Sequence, residues 1–161
     1  MMHKTSFFKK IDFKTLIFSI VICQLAGVIG SIFTAPSIDT WYKTLEKPFF
    51  TPPNWLFAPV WILLFFLMGI SLYLILKEKK NEFALRFFFI QLGLNTLWSI
   101  LFFGLQSPVI AFVDIILLWT FILLTIISSY KINRWAAFIL IPYILWVSFA
   151  SALNIAIAFL N

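Results

Sequence analysis

Indole, amide and phenol side chains recur at helical spacing within the most apolar parts of this sequence. Gln91, Asn95 and Ser99 stand four residues apart, so one face of a helix carries all three. A later run carries a second stripe, composed of Tyr143, Trp146, Ala150 and Asn154. Two earlier runs add Gln24, Gly27 and Ser31, and then Trp61, Phe65 and Gly69. Polar groups at membrane depth are costly and normally face protein or a cavity, so the stripes predict the inward faces of a helix bundle.

These inward faces have two interpretations, helix packing and ligand binding. Small residues allow helices to approach closely, and amides hydrogen-bond between helices. For four residues of these faces, packing and binding are equally supported: Gln24, Gly27, Gly69 and Ser99. Packing explains the tryptophans less well, because indole is bulky and its N–H needs a partner. Several inward indoles leave irregular space that suits a flat aromatic ligand, and the candidates are Trp61, Trp98 and Trp146.

Other kinds of chemistry lack the residues they need. His3 is the only histidine and Cys23 the only cysteine, so neither a metal site nor an internal disulfide is predicted. No serine can be paired with a histidine base, and no glycine-rich phosphate loop is present, which argues against hydrolase and kinase chemistry. Asp114 is the only carboxylate well inside an apolar run. We expect it to hydrogen-bond a neighbouring helix, and a proton or ion path is the alternative.

Five apolar runs must position these side chains. Of the 161 residues, 63% are hydrophobic and 11% are charged, against about 25% charged in a soluble domain. Each run provides the roughly 20 residues with which a helix crosses a bilayer. We therefore predict an all-α membrane protein, a bundle of five transmembrane helices in one domain, residues 16–161. The predicted spans are Leu16–Ala35, Trp55–Leu76, Phe87–Leu105, Pro108–Tyr130 and Trp135–Leu160.

Basic residues predict how this bundle is oriented. Ten of the twelve Lys and Arg flank span ends on one side, whereas Lys43 and Lys47 lie on the other. By the positive-inside rule the basic N-terminal arm, residues 1–15, is cytoplasmic and the C-terminus is outside. The same placement argues against nucleic acid as a partner, despite a formal net charge of +6. We expect the first span to be retained rather than cleaved as a signal peptide, because Pro36 follows its small-residue site.

The first connection, Pro36–Asn54, is longer than the others and rich in aromatic residues and proline. Ser37 or Asp39 is predicted to cap a short helix that contains Trp41 and Tyr42. The Thr-Pro-Pro segment that follows must then be extended. Two interpretations are open: an interfacial connector with aromatic anchors, or a lid over the outer mouth of the bundle.

Motifs in this connection and in the spans resemble the TspO/translocator-protein family, the tryptophan-rich sensory proteins. The connection reads WYKTLEKP over 41–48 and FFTPPNW over 49–55, and span 2 continues with FAPVW over 57–61. Span 3 carries QLGLN over 91–95 and then Trp98-Ser99, and span 5 carries Pro142-Tyr143, Trp146 and Leu153-Asn154. In this order the motifs cover roughly Gly27 to Asn154. Phe50 and Phe65 depart from the family, which commonly has Trp and Tyr there.

The resemblance implies a five-helix bundle, usually a homodimer, with a ligand pocket that opens toward the first connection. The implied ligands are porphyrins such as protoporphyrin IX and synthetic benzodiazepine-site compounds, with no further cofactor. Cholesterol, which mammalian relatives bind, is not expected here, because no basic residue follows Asn154. The implied ligand-binding residues are Trp41, Tyr42, Pro52, Trp61, Asn95, Trp98, Trp146 and Ala150, and the inward stripes add Phe65 and Asn154.

Three functions are consistent with the resemblance. The first is a membrane receptor or sensor for tetrapyrroles. The second is an enzyme that degrades porphyrin in light, with Trp61 and Trp146 as the reacting groups, Trp61 nearer the outer mouth and Trp146 deeper. The third is a transporter of tetrapyrroles or lipids. It has the least support, because the interior lacks charge and no inverted repeat is visible.

Overall fold

The computed structural model describes residues 11–161, and every regular element in that range is helical. Five helical units are long and apolar enough to cross a membrane, so the predicted five-helix membrane protein is confirmed. A 3-10 turn, Asn54–Leu56, precedes the third α-helix, and a π-helix, Ile100–Gly104, follows the fourth. Most of the predicted N-terminal arm, residues 1–10, lies outside the described residues. The α-helices are α1 Phe13–Ile38, α2 Trp41–Thr44, α3 Phe57–Leu76, α4 Glu82–Ser99, α5 Pro108–Tyr130, α6 Arg134–Phe138 and α7 Ile141–Leu160.

The outer faces of the long helices are apolar. Large apolar residues on four different helices are each more than half exposed, for example Ile17, Leu25, Ile62, Val113 and Leu145. Contiguous apolar surface on this scale is rare on soluble proteins and marks a membrane-facing exterior. The hydrogen-bonding side chains are therefore concentrated between the helices, where the sequence stripes place them.

Helix α1 runs through Pro36 to Ile38, beyond the predicted end of the first span at Ala35. Proline inside a helix removes one backbone hydrogen bond. Side chains fasten this last turn instead: Ser37 Oγ donates to the carbonyl of Phe103 at 3.0 Å. The end of α1 is thereby joined to the π-helix that follows α4.

The short helix of the first connection is α2, which begins later than its predicted caps allow. Its N-cap residue is Thr40, whose side chain makes no capping hydrogen bond. Ser37 lies within α1 and Asp39 is the C-cap of α1. The prediction that one of these two residues caps the short helix is therefore wrong, because α1 does not stop at its proline.

Three of the five units are not continuous α-helices, and the second unit in chain order is the one that begins with the 3-10 turn. The third ends in the π-helix, where the N–H of Leu105 donates to the carbonyl of Ile100 at 2.8 Å, and Gln106 then takes a left-handed φ of 53°. The fifth is divided into α6 and α7, with Pro142 in the first turn of α7. Proline is tolerated there, because the first N–H groups of a helix have no intrahelical partner.

Close packing joins α1 to α3 and α4, α4 to α5, and α5 to α6 and α7. A Cβ placed on Gly69 would lie 2.6 Å from the Cα of Ile20, so α3 approaches α1 at backbone distance. Ser71 Oγ donates to the carbonyl of Ala136 at 2.8 Å and joins α3 to α6. Between α3 and α7, by contrast, aromatic rings rather than closely packed backbones bridge the space. We call this space the α3–α7 gap.

Candidate functional site

Trp61 lies on the α3 side of the α3–α7 gap. Its ring is 5.7 Å from the ring of Phe65, one turn further along α3, and 6.5 Å from the ring of Tyr143 on α7. Phe65 is buried, whereas Trp61 is half-buried. Trp61 therefore presents part of its indole at the margin of the core, within contact of both walls of the gap.

Trp146 lies on the α7 side of the same gap. Its ring is 6.1 Å from the ring of Phe57 and 5.5 Å from that of Phe149. Its indole nitrogen is buried and makes no hydrogen bond to any described residue. Ala150, one turn further along α7, packs against the same core cluster as both tryptophans. The structure thus brings together four of the predicted site residues, namely Trp61, Phe65, Trp146 and Ala150.

The relative depth of the two tryptophans is the reverse of the prediction. Phe57 begins α3 at the end that follows the first connection, and Trp61 is about one turn further in. Trp146 contacts Phe57, whereas Trp61 contacts Tyr143, which precedes Trp146 in α7. Trp146 is therefore nearer the first connection. The sequence estimate failed because it counted residues from the start of each span, while the ring contacts give the register between α3 and α7.

Aromatic residues continue from this gap into the first connection. The ring of Phe50 is 6.3 Å from that of Phe149 and 5.5 Å from that of Phe49, which is fully exposed. Pro52 is half-buried in the extended segment between α2 and α3. A series of aromatic side chains therefore leads from the surface of the connection to Trp146. Sequence analysis missed Phe57 and Phe149, which are phenylalanines among the 21 of this chain.

Trp41 and Tyr42 contact the π-helix rather than Trp61 or Trp146. The Phe102 ring is 5.6 Å from that of Trp41 and 6.3 Å from that of Tyr42, and the Phe103 ring is 5.6 Å from Tyr42. Tyr42 is buried, and burial raises the pKa of its phenol. These two side chains therefore anchor the connection to the bundle.

Trp41 also borders a surface depression of about 300 Å³ on the outer side of this anchor. Its other lining residues come from the connection, from the start of α5 and from the end of α7: Leu45, Gln106, Pro108, Val109, Ala158 and Asn161. None of the predicted site residues other than Trp41 lines it. The depression is thus separate from the α3–α7 gap.

The predicted site residues Trp98 and Asn154 hydrogen-bond to each other. Trp98 Nε1 donates to Asn154 Oδ1 at 2.9 Å, and Asn154 Nδ2 donates to the carbonyl of Pro108 at 2.7 Å. The Trp98 ring also stacks on Phe102, with centroids 5.1 Å apart. These contacts tie α4, α5 and α7 together. Because both partners are already satisfied, the packing interpretation accounts for this pair.

Asn95 takes part in a second buried network. Its Nδ2 donates to the hydroxyl of Tyr143 at 2.8 Å, and that hydroxyl donates to Gln91 Oε1 at 2.8 Å. All three residues are buried, and Tyr143 is fully inaccessible. Gln91 and Tyr143 stood in the sequence stripes without being predicted as site residues. Their spacing indicated the shared face, but it did not show that a phenol from α7 would join two amides of α4.

Asp114 does not make the contact that was predicted for it. It lies in α5 and is buried, yet its carboxylate makes no hydrogen bond to a described residue, and its Oδ2 is wholly enclosed. The expected hydrogen bond to a neighbouring helix is therefore not formed. Asp114 shares the core with the amide network on α4, but nothing in its contacts assigns it a role.

Comparisons with known proteins agree with these motifs. The sequence model of the TspO/MBR family matches residues 19–160. A "Tryptophan-rich protein TspO" of Archaeoglobus fulgidus is 52% identical over 148 residues, covering 91% of this chain and 96% of the relative. A "Tryptophan-rich sensory protein" of Cereibacter sphaeroides is 33% identical over 76% of this chain and 78% of its own. A "Translocator protein" of Bos taurus is 36% identical over 81% of this chain and 80% of the relative's length.

Replacing Tyr143 by Phe should destabilise the bundle. The change removes one hydroxyl and leaves Asn95 Nδ2 and Gln91 Oε1 without their partner, which should lower the free energy of unfolding by about 1–3 kcal/mol. The control is Tyr130→Phe, because Tyr130 is 46% exposed and its hydroxyl has no partner among residues 11–161. Thermal unfolding in detergent, followed by tryptophan fluorescence, measures both. Equal midpoints for the two variants would show that the Tyr143 network does not stabilise the fold.

Proposed function

The chain belongs to the TspO/MBR family, and on that premise we propose that it is a membrane receptor that binds porphyrins in the α3–α7 gap. Protoporphyrin IX represents the ligand class, and flat benzodiazepine-site compounds share its shape. The observation that carries the proposal is the indole N–H of Trp146, which has no hydrogen-bond partner among residues 11–161 and borders a gap bridged by aromatic rings. A buried donor without a partner is costly, and a ligand oxygen or nitrogen that accepts from it removes that cost.

The construction of the gap supports a flat ligand. Since α3 and α7 are not closely packed along their length, ring rotations can widen the space without breaking backbone contacts. Trp61 and Trp146 provide faces on which a macrocycle stacks, and such aromatic pairs add about 0.5–1.5 kcal/mol beyond the area they bury. Phe50 and Phe149 provide an apolar route from the first connection. The side chains whose rings border the gap, Phe57, Trp61 and Trp146 among them, carry no charge, which matches an extended aromatic ligand.

Replacing Trp61 by Ala should weaken porphyrin binding. The loss of one stacking face and its buried area is expected to raise the Kd about tenfold, which corresponds to about 1.4 kcal/mol. Trp135→Ala is the matched control, because Trp135 lies in α6 and is 59% exposed away from the gap. Titration of the purified proteins with protoporphyrin IX, followed by its absorption band, gives both constants. The proposed site is wrong if the two variants bind equally well.

A second candidate function is light-dependent oxidative degradation of the bound porphyrin, with dissolved oxygen as the oxidant. Trp61 and Trp146 are the proposed reacting groups, because indole is easily oxidised and both rings border the same gap. The ring contacts of both tryptophans are with other aromatic side chains, none of which is charged. This proposal depends on the first, since the substrate must occupy the gap.

Replacing both Trp61 and Trp146 by Phe separates binding from degradation. Phenylalanine retains an apolar ring but loses the N–H and the redox activity of indole, so binding should stay within about tenfold, or 1.4 kcal/mol. Loss of the porphyrin absorption band under illumination in air should cease. Darkness and oxygen-free buffer are the controls. Degradation at the original rate by the double variant excludes these tryptophans, and no degradation by the unaltered protein excludes the enzymatic function while leaving the receptor proposal intact.

We also propose that the N-terminus is cytoplasmic and the first connection faces the outside. The charged ends of α1, α3 and α6 lie together, since Asp12 N donates to the Tyr73 hydroxyl at 3.2 Å and Asn133 Nδ2 donates to Glu78 Oε1 at 3.1 Å. That end carries most of the described Lys and Arg, which supports an inner location. A reporter enzyme fused after Asn161 should be active only outside the cytoplasm. Activity inside would reverse the orientation.

A further inference from the structure

A second surface depression, of about 220 Å³, lies at the end of the bundle opposite the first connection. It is formed by the start of α4 and the end of α5. Phe83 and Phe87 of α4 provide its apolar wall, and Ile132 follows the end of α5. Lys80 and Lys131 flank it, and Ser128 lines it. We call it the lysine groove. None of the residues proposed to bind porphyrin lies in it.

The polar side chains of the lysine groove are hydrogen-bond donors without a partner in the described part of the chain. Neither Lys80 nor Lys131 forms an ion pair or hydrogen bond with any residue from 11 to 161, and the hydroxyl of Ser128 is likewise unbonded there. Asn81, the N-cap of α4, makes no side-chain capping bond to the first N–H groups of that helix. Two lysines and a serine therefore line a depression beside the N-terminus of α4, and these are the groups that hold a phosphate.

The apolar wall of the groove continues along the membrane-spanning part of the bundle. Phe83 is 67% exposed, and its ring lies 6.4 Å from that of Phe87, which lies 6.0 Å from the ring of Phe121 on α5. The donors lie at the ends of two spans, at the depth of lipid headgroups. The phenylalanines extend from there toward the hydrocarbon. A free anion would use the donors alone, whereas a phospholipid uses both the donors and the wall.

We propose that the lysine groove binds one anionic phospholipid. The phosphate lies between Lys80 and Lys131 and accepts from Ser128, and an acyl chain lies along Phe83, Phe87 and Phe121. A basic recess between helices at the membrane surface is a known manner of recognising anionic headgroups. A zwitterionic lipid is disfavoured, because its ammonium group is repelled by the two lysines. Glu82 is exposed in the first turn of α4 and does not line the groove.

Retention of lipid by the purified protein tests this proposal. The unaltered chain in detergent is mixed with equal amounts of phosphatidylglycerol and phosphatidylcholine, and bound lipid is counted by native mass spectrometry. We expect phosphatidylglycerol to be favoured, and Lys80→Gln with Lys131→Gln to lower that preference about thirtyfold, since each lysine near a membrane surface contributes about a fivefold factor. The matched control is Lys14→Gln with Lys79→Gln, which removes the same charge from exposed residues outside the groove.

Three results would overturn the proposal. Equal loss of preference in the two double variants would make the effect one of net charge rather than of the groove. Equal retention of both lipids by the unaltered protein would remove the headgroup selectivity. Displacement of phosphatidylglycerol by millimolar inorganic phosphate would identify an anion site without a lipid chain. Porphyrin titration of the same variants should be unchanged, so this proposal and the porphyrin proposal fail independently.

Discussion

The arrangement of the bundle depends on the two hydrogen bonds that the Tyr143 hydroxyl makes. The hydroxyl accepts from Asn95 and donates to Gln91, so a single atom of α7 is fixed to two successive turns of α4. In water such hydrogen bonds compete with the solvent, but the hydrocarbon interior offers no alternative partner to a buried amide. The network therefore fixes the position and rotation of α7, and with it the direction in which Trp146 points.

The same constraint explains why the gap lies between α3 and α7. Polar contacts from α7 run to α4 and α5, through Tyr143 and through the bond between Asn154 and Pro108. Helix α3 is instead held by the close approach of Gly69 to α1 and by the bond from Ser71 to α6. The two helices are thus attached to different partners, and α6 is their common attachment at the end away from the first connection. Aromatic rings fill the space that remains toward the connection.

Much of the fold was accessible from the sequence, because lipid imposes a simple rule. Runs of apolar residues long enough to cross a bilayer must be helical, and the run Pro108–Tyr130 coincides with α5. The extension of α1 through Pro36 was not accessible. It depends on a hydrogen bond from Ser37 to a residue far along the chain, and local propensity does not contain that partner. No pattern in the sequence predicts the π-helix after Ser99 either, yet it presents Phe102 and Phe103 to Trp41 and Tyr42.

The tryptophans show why residue type and spacing located the site only in part. Trp146 lies on an amide-bearing stripe and Trp98 flanks another, so their sequence environments favour the same role. Their indole N–H groups differ: that of Trp98 donates to Asn154, whereas that of Trp146 is buried and has no partner within residues 11–161. The first indole therefore stabilises the contact between helices, and the second keeps an unused hydrogen-bond donor. This difference is set by which helices pack together, because Asn154 of α7 reaches Trp98 of α4 beside the start of α5. The unused donor of Trp146 therefore directs the candidate site to the α3–α7 gap.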